Sequence, residues 1–288
     1  MSRRWPKITL RGPEESRAIV QAFLLGQGSL GVWEDATSST LYFPPDFSEA
    51  EVRQAVERAL DAAGHEARGL SWQLDWEPEQ DWMSGWRNYF RPLAVGDRII
   101  VKPPWGEIPS EWRSRDVVIE IEPKMAFGTG THPTTQLVLE AEEQLVRRGM
   151  RVLDVGTGSG ILSIAAVQLG AQRAFAFDVD VTAVRNAAEN LRRNHVQRRV
   201  SLFAGTLETV KPGRRFDLLL ANIQSSVHKT LLGSYRDHTE PGGFVVLSGI
   251  LREEVTELVR LLEQTKLTVE RVRGREEWVA IEVRNQAG

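Results

Sequence analysis

The sequence predicts an α/β chain: a doubly wound, Rossmann-like sheet preceded by a small N-terminal α+β domain of ferredoxin-like topology. Three observations predict it. From Pro133 onward, short apolar runs alternate with amphipathic helical stretches, the pattern of parallel strands covered by helices on both faces. The first 77 residues read instead as β-α-β-β-α-β, the split arrangement of the ferredoxin-like fold. Finally, the glycine-rich run VLDVGTGSG at 152–160 follows the apolar residues Val152 and Leu153 and opens a helix through Ile161-Leu162-Ser163-Ile164, a strand, tight turn and helix N-terminus in sequence.

The N-terminal elements follow in order. Trp5 to Leu10 reads as a strand and Pro13 to Gly26 as an amphipathic helix. Ser29 to Glu34 and Thr40 to Phe43 are two further strands about the polar turn Asp35 to Ser39. Ser48 caps a helix with Glu51 at the capping-box position, and the apolar series Val52, Val56, Leu60 runs to a stop at Gly64. Ser71 to Trp76 closes the domain, placed at 1–77, as a strand. Nothing in it suggests catalysis, which leaves binding or scaffolding.

Residues 78–92 are expected to form a helical linker. Trp82, Trp86 and Tyr89 stand at i, i+4 and i+7 on one helical face, a stripe that packs against a domain more often than it holds a ligand. The second domain, 93–288, opens with a small β segment at 93–122, in which Val95 to Val101 and Val117 to Ile121 are strands about Pro103-Pro104-Trp105. Its Rossmann-like core fills 123–288. A helix from Thr134 to Arg148 precedes strands beginning at Arg151, Arg173, Arg199, Asp217 and Phe244, with helices starting near Ser159, Val181, Ser225 and Arg252. Leu267 to Arg273 and Glu277 to Val283 read as a hairpin turning at Gly274 and added at one sheet edge.

Composition narrows the function classes. Apolar residues at 41% and charged residues at 26% of 288 are ordinary for a globular protein, and no run approaches the roughly 18 apolar residues of a membrane span. Met1-Ser2-Arg3-Arg4 lacks a following apolar region of the signal-peptide kind. With no cysteine, disulfides, thiol catalysis and cysteine zinc sites are excluded, and no metal site is expected. A cytoplasmic monomer is the expectation. The net charge of −3 argues against a nucleic-acid surface spread over the whole molecule and leaves room for a local basic patch.

The glycine turn carries the chemistry. Gly156, Gly158 and Gly160 present no Cβ, so backbone N–H groups are expected to come close to a ligand. A dinucleotide fingerprint needs its third glycine at 161, where Ile161 stands. An acid at Asp154 before the turn suits a ligand with an amino-acid moiety and no phosphate. The next apolar run, Ala174 to Phe177, ends in Asp178, twenty residues after Gly158, the offset at which an acid accepts both ribose hydroxyls. The alternative for Asp178 is a helix N-cap, a task open to Asp180 as well. Adenosine with free hydroxyls and an amino-acid moiety point to S-adenosylmethionine. Asn222 ends the apolar run from Phe216, where it either accepts a hydrogen bond from a substrate amine or starts a turn. His132, before a proline, is a loop-organising residue or a base.

Taken with these residues, the motifs DWMSGWRNYFRP, AFGTGTHPTT, VLDVGTGSGILSIAA, AFDVD, LLLANI, LSGIL and EEWVAI, in this order from about residue 81 to 282, resemble the ribosomal protein L11 methyltransferase family, PrmA. The resemblance implies a class I S-adenosylmethionine-dependent methyltransferase domain behind an N-terminal substrate-recognition domain and a linker. It places Thr135, Gly156, Asp178 and Asn222 at positions that bind S-adenosylmethionine, with Gly158 in the cofactor turn and a loop from Phe127 through Thr129 to Thr131 over the cofactor. It also implies methylation of lysine side chains and of the α-amine of ribosomal protein L11, with Asn222 as the candidate catalytic residue. Outside that topology the first 75 or so residues carry no family motif, so a lysine methyltransferase of another protein stays open. So does an RNA methyltransferase using Arg192-Arg193 and Arg198-Arg199 as phosphate contacts, although solvated helix-end charges explain these arginines equally well.

Overall fold

The chain divides into two compact units, Met1–Tyr89 and Phe90–Gly288. A computed structural model describes residues 4–25, 27–34, 37–78, 90–123 and 130–286. The Trp82, Trp86 and Tyr89 stripe, most of the 78–92 linker, and Phe127 and Thr129 lie outside the described residues.

In the first unit, strands β1 (Arg4–Arg11), β2 (Gly31–Glu34), β3 (Ser38–Tyr42) and β4 (Ser71–Pro78) form an antiparallel sheet in the order β2-β3-β1-β4, the ferredoxin-like order. Helices α1 (Glu14–Leu25) and α2 (Glu49–Ala63) cover one face. The period-2 alternation of β1 sends Ile8 and Leu10 into a core with Val20, Leu24, Val52 and Val56. The capping box forms as its spacing predicts: the Glu51 N–H donates to Ser48 Oγ at 3.3 Å, and the Ser48 N–H donates to Glu51 Oε2 at 2.7 Å. Such a cap contributes about 1 kcal/mol. Gly64 ends the helix at φ +56°, where a Cβ is penalised. β3 starts two residues earlier than its polarity suggests. Ser39 is fully buried in the strand because Arg17 Nη1 donates to its Oγ at 2.8 Å, which makes a polar residue tolerable there.

The second unit opens with β5 (Leu93–Val95), β6 (Ile99–Lys102) and β7 (Val117–Glu120). The run expected as one strand from Val95 to Val101 is a hairpin. Gly96, at φ +55°, turns the chain, and the Asp97 N–H is held by both oxygens of Glu143 at 3.1 Å.

Behind it lies a seven-stranded sheet of β8 (Arg151–Val155), β9 (Arg173–Asp178), β10 (Val200–Ala204), β11 (Phe216–Asn222), β12 (Thr239–Leu251), β13 (Leu267–Arg275) and β14 (Trp278–Asn285), in the order β10-β9-β8-β11-β12-β14-β13. β8 to β12 run parallel and β14 is antiparallel to both its neighbours. Alternate residues feed two cores. Val152, Ala174 and Ala176 face helices α3 (Pro133–Leu145), α4 (Ile161–Leu169) and α5 (Val181–Arg193), while Leu153, Phe175 and Phe177 face α6 (Ser225–Asp237) and α7 (Val255–Glu263).

Two expectations are corrected here. The closing hairpin turns at Glu276-Glu277, with Glu276 at φ +54°, and Gly274 pairs within β13 opposite Val279. β12 starts at Thr239, ahead of Phe244, because Thr239 already pairs with Phe216 and the register shift absorbs Pro241-Gly242-Gly243. Among the described residues no helix is long and apolar enough to cross a membrane.

Candidate active site

Gly156 directly follows β8, Asp178 ends β9 and Asn222 ends β11, so all three stand at the carboxyl edge of the parallel strands. Since β11 pairs with β8, Asn222 opens beside the glycine turn at the switch point of the sheet. Gly156 sits at φ +69°, and a Cβ there would meet Ile223 Cγ2 at 2.5 Å. Only glycine fits.

The turn does not offer its amides as the sequence suggests. The Gly156 and Thr157 N–H groups donate to the Phe177 carbonyl at 3.0 and 2.9 Å, the Gly160 N–H to Thr157 O at 2.8 Å, and the Gly158 N–H to Asp178 Oδ2 at 2.9 Å. Pairing with β9 turns these donors inward. What the glycines provide is a tight turn at positive φ whose missing side chains make room for Ile223 at Gly156 and Ala187 at Gly160, and amides turned inward do not cradle a phosphate.

Asp178 also accepts the Asp180 N–H on Oδ1 at 3.0 Å. The capping task falls to Asp180, whose Oδ1 accepts the Thr182 N–H at 2.7 Å, so Asp178 is not the helix cap. Asp154 is fully buried and acts as an internal brace. Its Oδ2 accepts Thr157 Oγ1 at 2.6 Å, Ser163 Oγ at 2.7 Å and the Ser163 N–H at 3.2 Å, while its Oδ1 is buried without a partner among the described residues. The expectation that it meets a ligand's amino-acid moiety gives way to this bracing geometry. Burial lifts its pKa to about 6 against the pull of the Thr157 and Ser163 hydrogen bonds. Glu142 on α3 is equally buried, neither of its oxygens has a partner among the described residues, and desolvation together with the Asp154 charge holds it well above the usual carboxylate range.

Asn222 Nδ2 donates to Thr135 Oγ1 at 3.3 Å, joining the end of β11 to the first turn of α3. Its Oδ1 is buried and has no partner among the described residues. His132 caps α3: its Nδ1 accepts the Thr134 N–H at 3.3 Å and lies 2.7 Å from Thr134 Oγ1, with the ring edge-on to Trp278 at 5.0 Å. This is the loop-organising geometry. Of the first glycine loop, Gly130 is described at φ +88°, where a Cβ would lie 2.8 Å from Val101 Cγ1 and 3.2 Å from Ile161 Cδ1. Ile161, which displaces the third glycine of a dinucleotide fingerprint, therefore packs where the two loops meet.

Sequence reasoning missed the support behind Asn222. Ser248 of β12 pairs with Asn222 in register, and Ser248 Oγ donates to the Thr134 carbonyl at 3.2 Å. The fully buried His228 donates from Nε2 to Ser248 O at 2.9 Å and accepts the Tyr235 hydroxyl on Nδ1 at 3.2 Å; burial lowers its pKa to about 4. The run Leu247-Ser248-Gly249 was the available signal. A serine and a glycine closing a buried strand mark a close backbone approach, and a Cβ on Gly249 would lie 2.3 Å from Ile223 O.

A family model described as ribosomal protein L11 methyltransferase (PrmA) matches residues 10–286. A ribosomal protein L11 methyltransferase of Geobacter metallireducens is 37% identical over 96% of this chain and 97% of its own length. One of Pelotomaculum thermopropionicum is 34% identical over 98% and 99%. Among solved structures, a ribosomal protein L11 methylase from Lactobacillus delbrueckii subsp. bulgaricus aligns at a TM-score of 0.64 and 26% identity, over 69% of this chain and 100% of that chain. A methyltransferase from Pyrococcus furiosus, at 20% identity and a TM-score of 0.51, shares the fold. The sheet is thus that of a class I methyltransferase using S-adenosylmethionine, and the chain belongs to the ribosomal protein L11 methyltransferase family.

Proposed function

We propose that this enzyme transfers methyl groups from S-adenosylmethionine to lysine side chains and the N-terminal α-amine of ribosomal protein L11. The buried Asn222 Oδ1, without a partner among the described residues, carries the reading. Such an acceptor costs about 1–3 kcal/mol unless a donor arrives, and a substrate amine N–H is a donor of the right kind. Thr135 holds the other end of the Asn222 amide, so the oxygen keeps its orientation.

The residues at the strand ends fit the cofactor. Gly156 and Gly158, both at positive φ, form the tight turn at the strand ends, Asp178 keeps acceptor capacity for two ribose hydroxyls, and Phe127, Thr129 and Thr135 are assigned to its remaining contacts. When bound, S-adenosylmethionine supplies an electrophilic methyl group on a sulfonium. The task left to the chain is to orient and desolvate the amine. Presenting a lysine neutral at pH 7 costs about 4.6 kcal/mol, and burial beside Asn222 supplies that shift without a strong base. An amide oxygen takes no proton, so Asn222 aligns the nitrogen lone pair.

Recognition is assigned to residues 1–77, joined by the 78–92 linker to the domain over 93–288, in a cytoplasmic monomer. Deleting residues 1–77 is expected to spare cofactor binding and abolish protein methylation; full activity of the truncated chain would remove the recognition role. The deciding experiment for the function is mass spectrometry of unmethylated ribosomal proteins incubated with enzyme and S-adenosylmethionine. Methyl increments on L11 amines are expected. Labelling of another protein instead, or nuclease-sensitive labelling of RNA, would overturn the assignment.

A further inference from the structure

The edge of the sheet opposite the candidate site is basic. Arg173 opens β9 and pairs in register with Arg151 of β8. Arg199 precedes β10, and its carbonyl accepts the Ala174 N–H at 3.0 Å, which sets Arg198 and Arg199 beside Arg173. Arg147 and Arg148 lead into β8, tied to the same edge by the Gln172 N–H on Met150 O at 2.7 Å. Arg214 and Arg215 lead into β11, the next strand of the sheet. At about 4.8 Å between strands, these four strand starts span roughly 15 Å.

The carboxylates at these strand starts are already used. Asp217 near the start of β11 and Glu240 near that of β12 both meet Arg151, the latter at 2.8 Å. Arg199 is spent on the Ala171 and Gln172 carbonyls, and the Arg214 guanidinium lies 3.8 Å over the Phe175 ring. By contrast Arg148, Arg173, Arg198 and Arg215 are exposed and carry no ion pair among the described residues. In a chain of net charge −3, this is a local field of one sign.

We propose that this edge docks the phosphate backbone of RNA without reading its sequence. The cations here are guanidinium groups, which take phosphate oxygens in pairs where an ammonium acts as a point charge. None of the exposed large apolar side chains among the described residues stands at these strand starts, which disfavours a lipid surface. The choice of RNA over DNA rests on the proposed ribosomal-protein substrate. A docked backbone lies a strand's length, roughly 17 Å, from Asn222, so it anchors the enzyme and does not enter the methylation site.

The test is fluorescence anisotropy of the full-length protein with a labelled 20-nucleotide RNA of mixed sequence, titrated at several salt concentrations beside a DNA of the same sequence and phosphatidylserine vesicles. Binding to RNA with a linear log-log salt dependence is expected. The triple variant Arg148→Glu, Arg173→Glu, Arg198→Glu should weaken it at least tenfold and flatten the slope by about 2, at roughly 0.7 per phosphate contact. S-adenosylmethionine affinity, measured on the same variant, should be unchanged; if the variant does not fold, the corresponding glutamine set is used. No RNA binding in 0.1 M salt, binding indifferent to the substitutions, a marked preference for DNA, or binding to vesicles alone would each overturn the proposal. None of these outcomes bears on which amines are methylated, so the two readings fail separately.

Discussion

The Gly158 N–H donates to Asp178 Oδ2 at 2.9 Å, closing a span of 20 residues between the turn after β8 and the end of β9. One carboxylate thus fixes the shape of the glycine turn, and the proposed function gives it the ribose as well. With about four acceptor sites, and two taken by Gly158 and Asp180, it can accept both hydroxyls. Asp178→Ala is expected to weaken S-adenosylmethionine binding by at least a hundredfold, from two hydroxyl hydrogen bonds to a charged group at about 1.5–3 kcal/mol each. Calorimetry checks this. An unchanged dissociation constant would sink the ribose assignment.

The role proposed for Asn222 is tested by its effect on kcat at saturating cofactor. Asn222→Ala removes the buried acceptor proposed for the amine, and kcat is expected to fall about a hundredfold, the scale for losing one oriented polar group at a reacting centre. Thr135→Val leaves that acceptor in place and frees its orientation, so a smaller loss of kcat is expected. Single-turnover rates with cofactor saturating read both. Equal kcat in wild type and Asn222→Ala would remove the residue from the reaction.

Much of this arrangement was legible in the sequence because it is local or set by spacing. The capping box at Ser48 and Glu51, the strand–turn–helix around Gly156 and the offset of Asp178 are all fixed by residues near one another or one crossover apart. What was not legible depends on distant partners. The inward turn of the Gly156 and Thr157 amides depends on Phe177 O in the neighbouring strand. That β14, the last strand, lies inside β13 follows from which edge β12 leaves open, a property of the assembled sheet. Glu142 in a run of glutamates reads as solvated helix surface, yet the helix buries it. Ser39, in turn, reads as a polar turn until Arg17 is seen to satisfy it.

His228 gives the structure an acid limit. Its pKa is about 4 when folded against an ordinary value of 6.5, so both states are neutral above pH 6.5, and below it the unfolded chain binds a proton that the folded one refuses. Its contribution to stability is therefore present above pH 6.5 and lost as pH falls toward 4, by an amount on the order of 3 kcal/mol. His228→Gln keeps a donor for Ser248 O and does not titrate. Denaturant melts at pH 7 and pH 4.5 should show a smaller acid loss in the variant than in the wild type. Identical losses would show that His228 is not the group responsible.

Glu142 acts with the opposite sign. Burial and the nearby Asp154 charge raise its folded pKa well above 4.5, so the folded state holds a proton that the unfolded chain releases as pH rises. Its contribution is complete below pH 4.5 and declines through the pH range between that value and its raised folded pKa. Neither carboxyl oxygen has a partner among the described residues, and no hydrogen bond there offsets the cost of ionising it in place. Glu142→Gln removes the titration at nearly constant volume. The variant should match the wild type in denaturant midpoint near pH 4 and exceed it increasingly toward pH 8, with Tm several degrees higher there, at about 2–4 °C per kcal/mol for a domain of this size. The difference between the two proteins isolates Glu142 from His228, whose effect is common to both. A stability difference that does not change between pH 4 and pH 8 would mean that folding does not raise the pKa of Glu142, and would remove it as a source of pH-dependent stability.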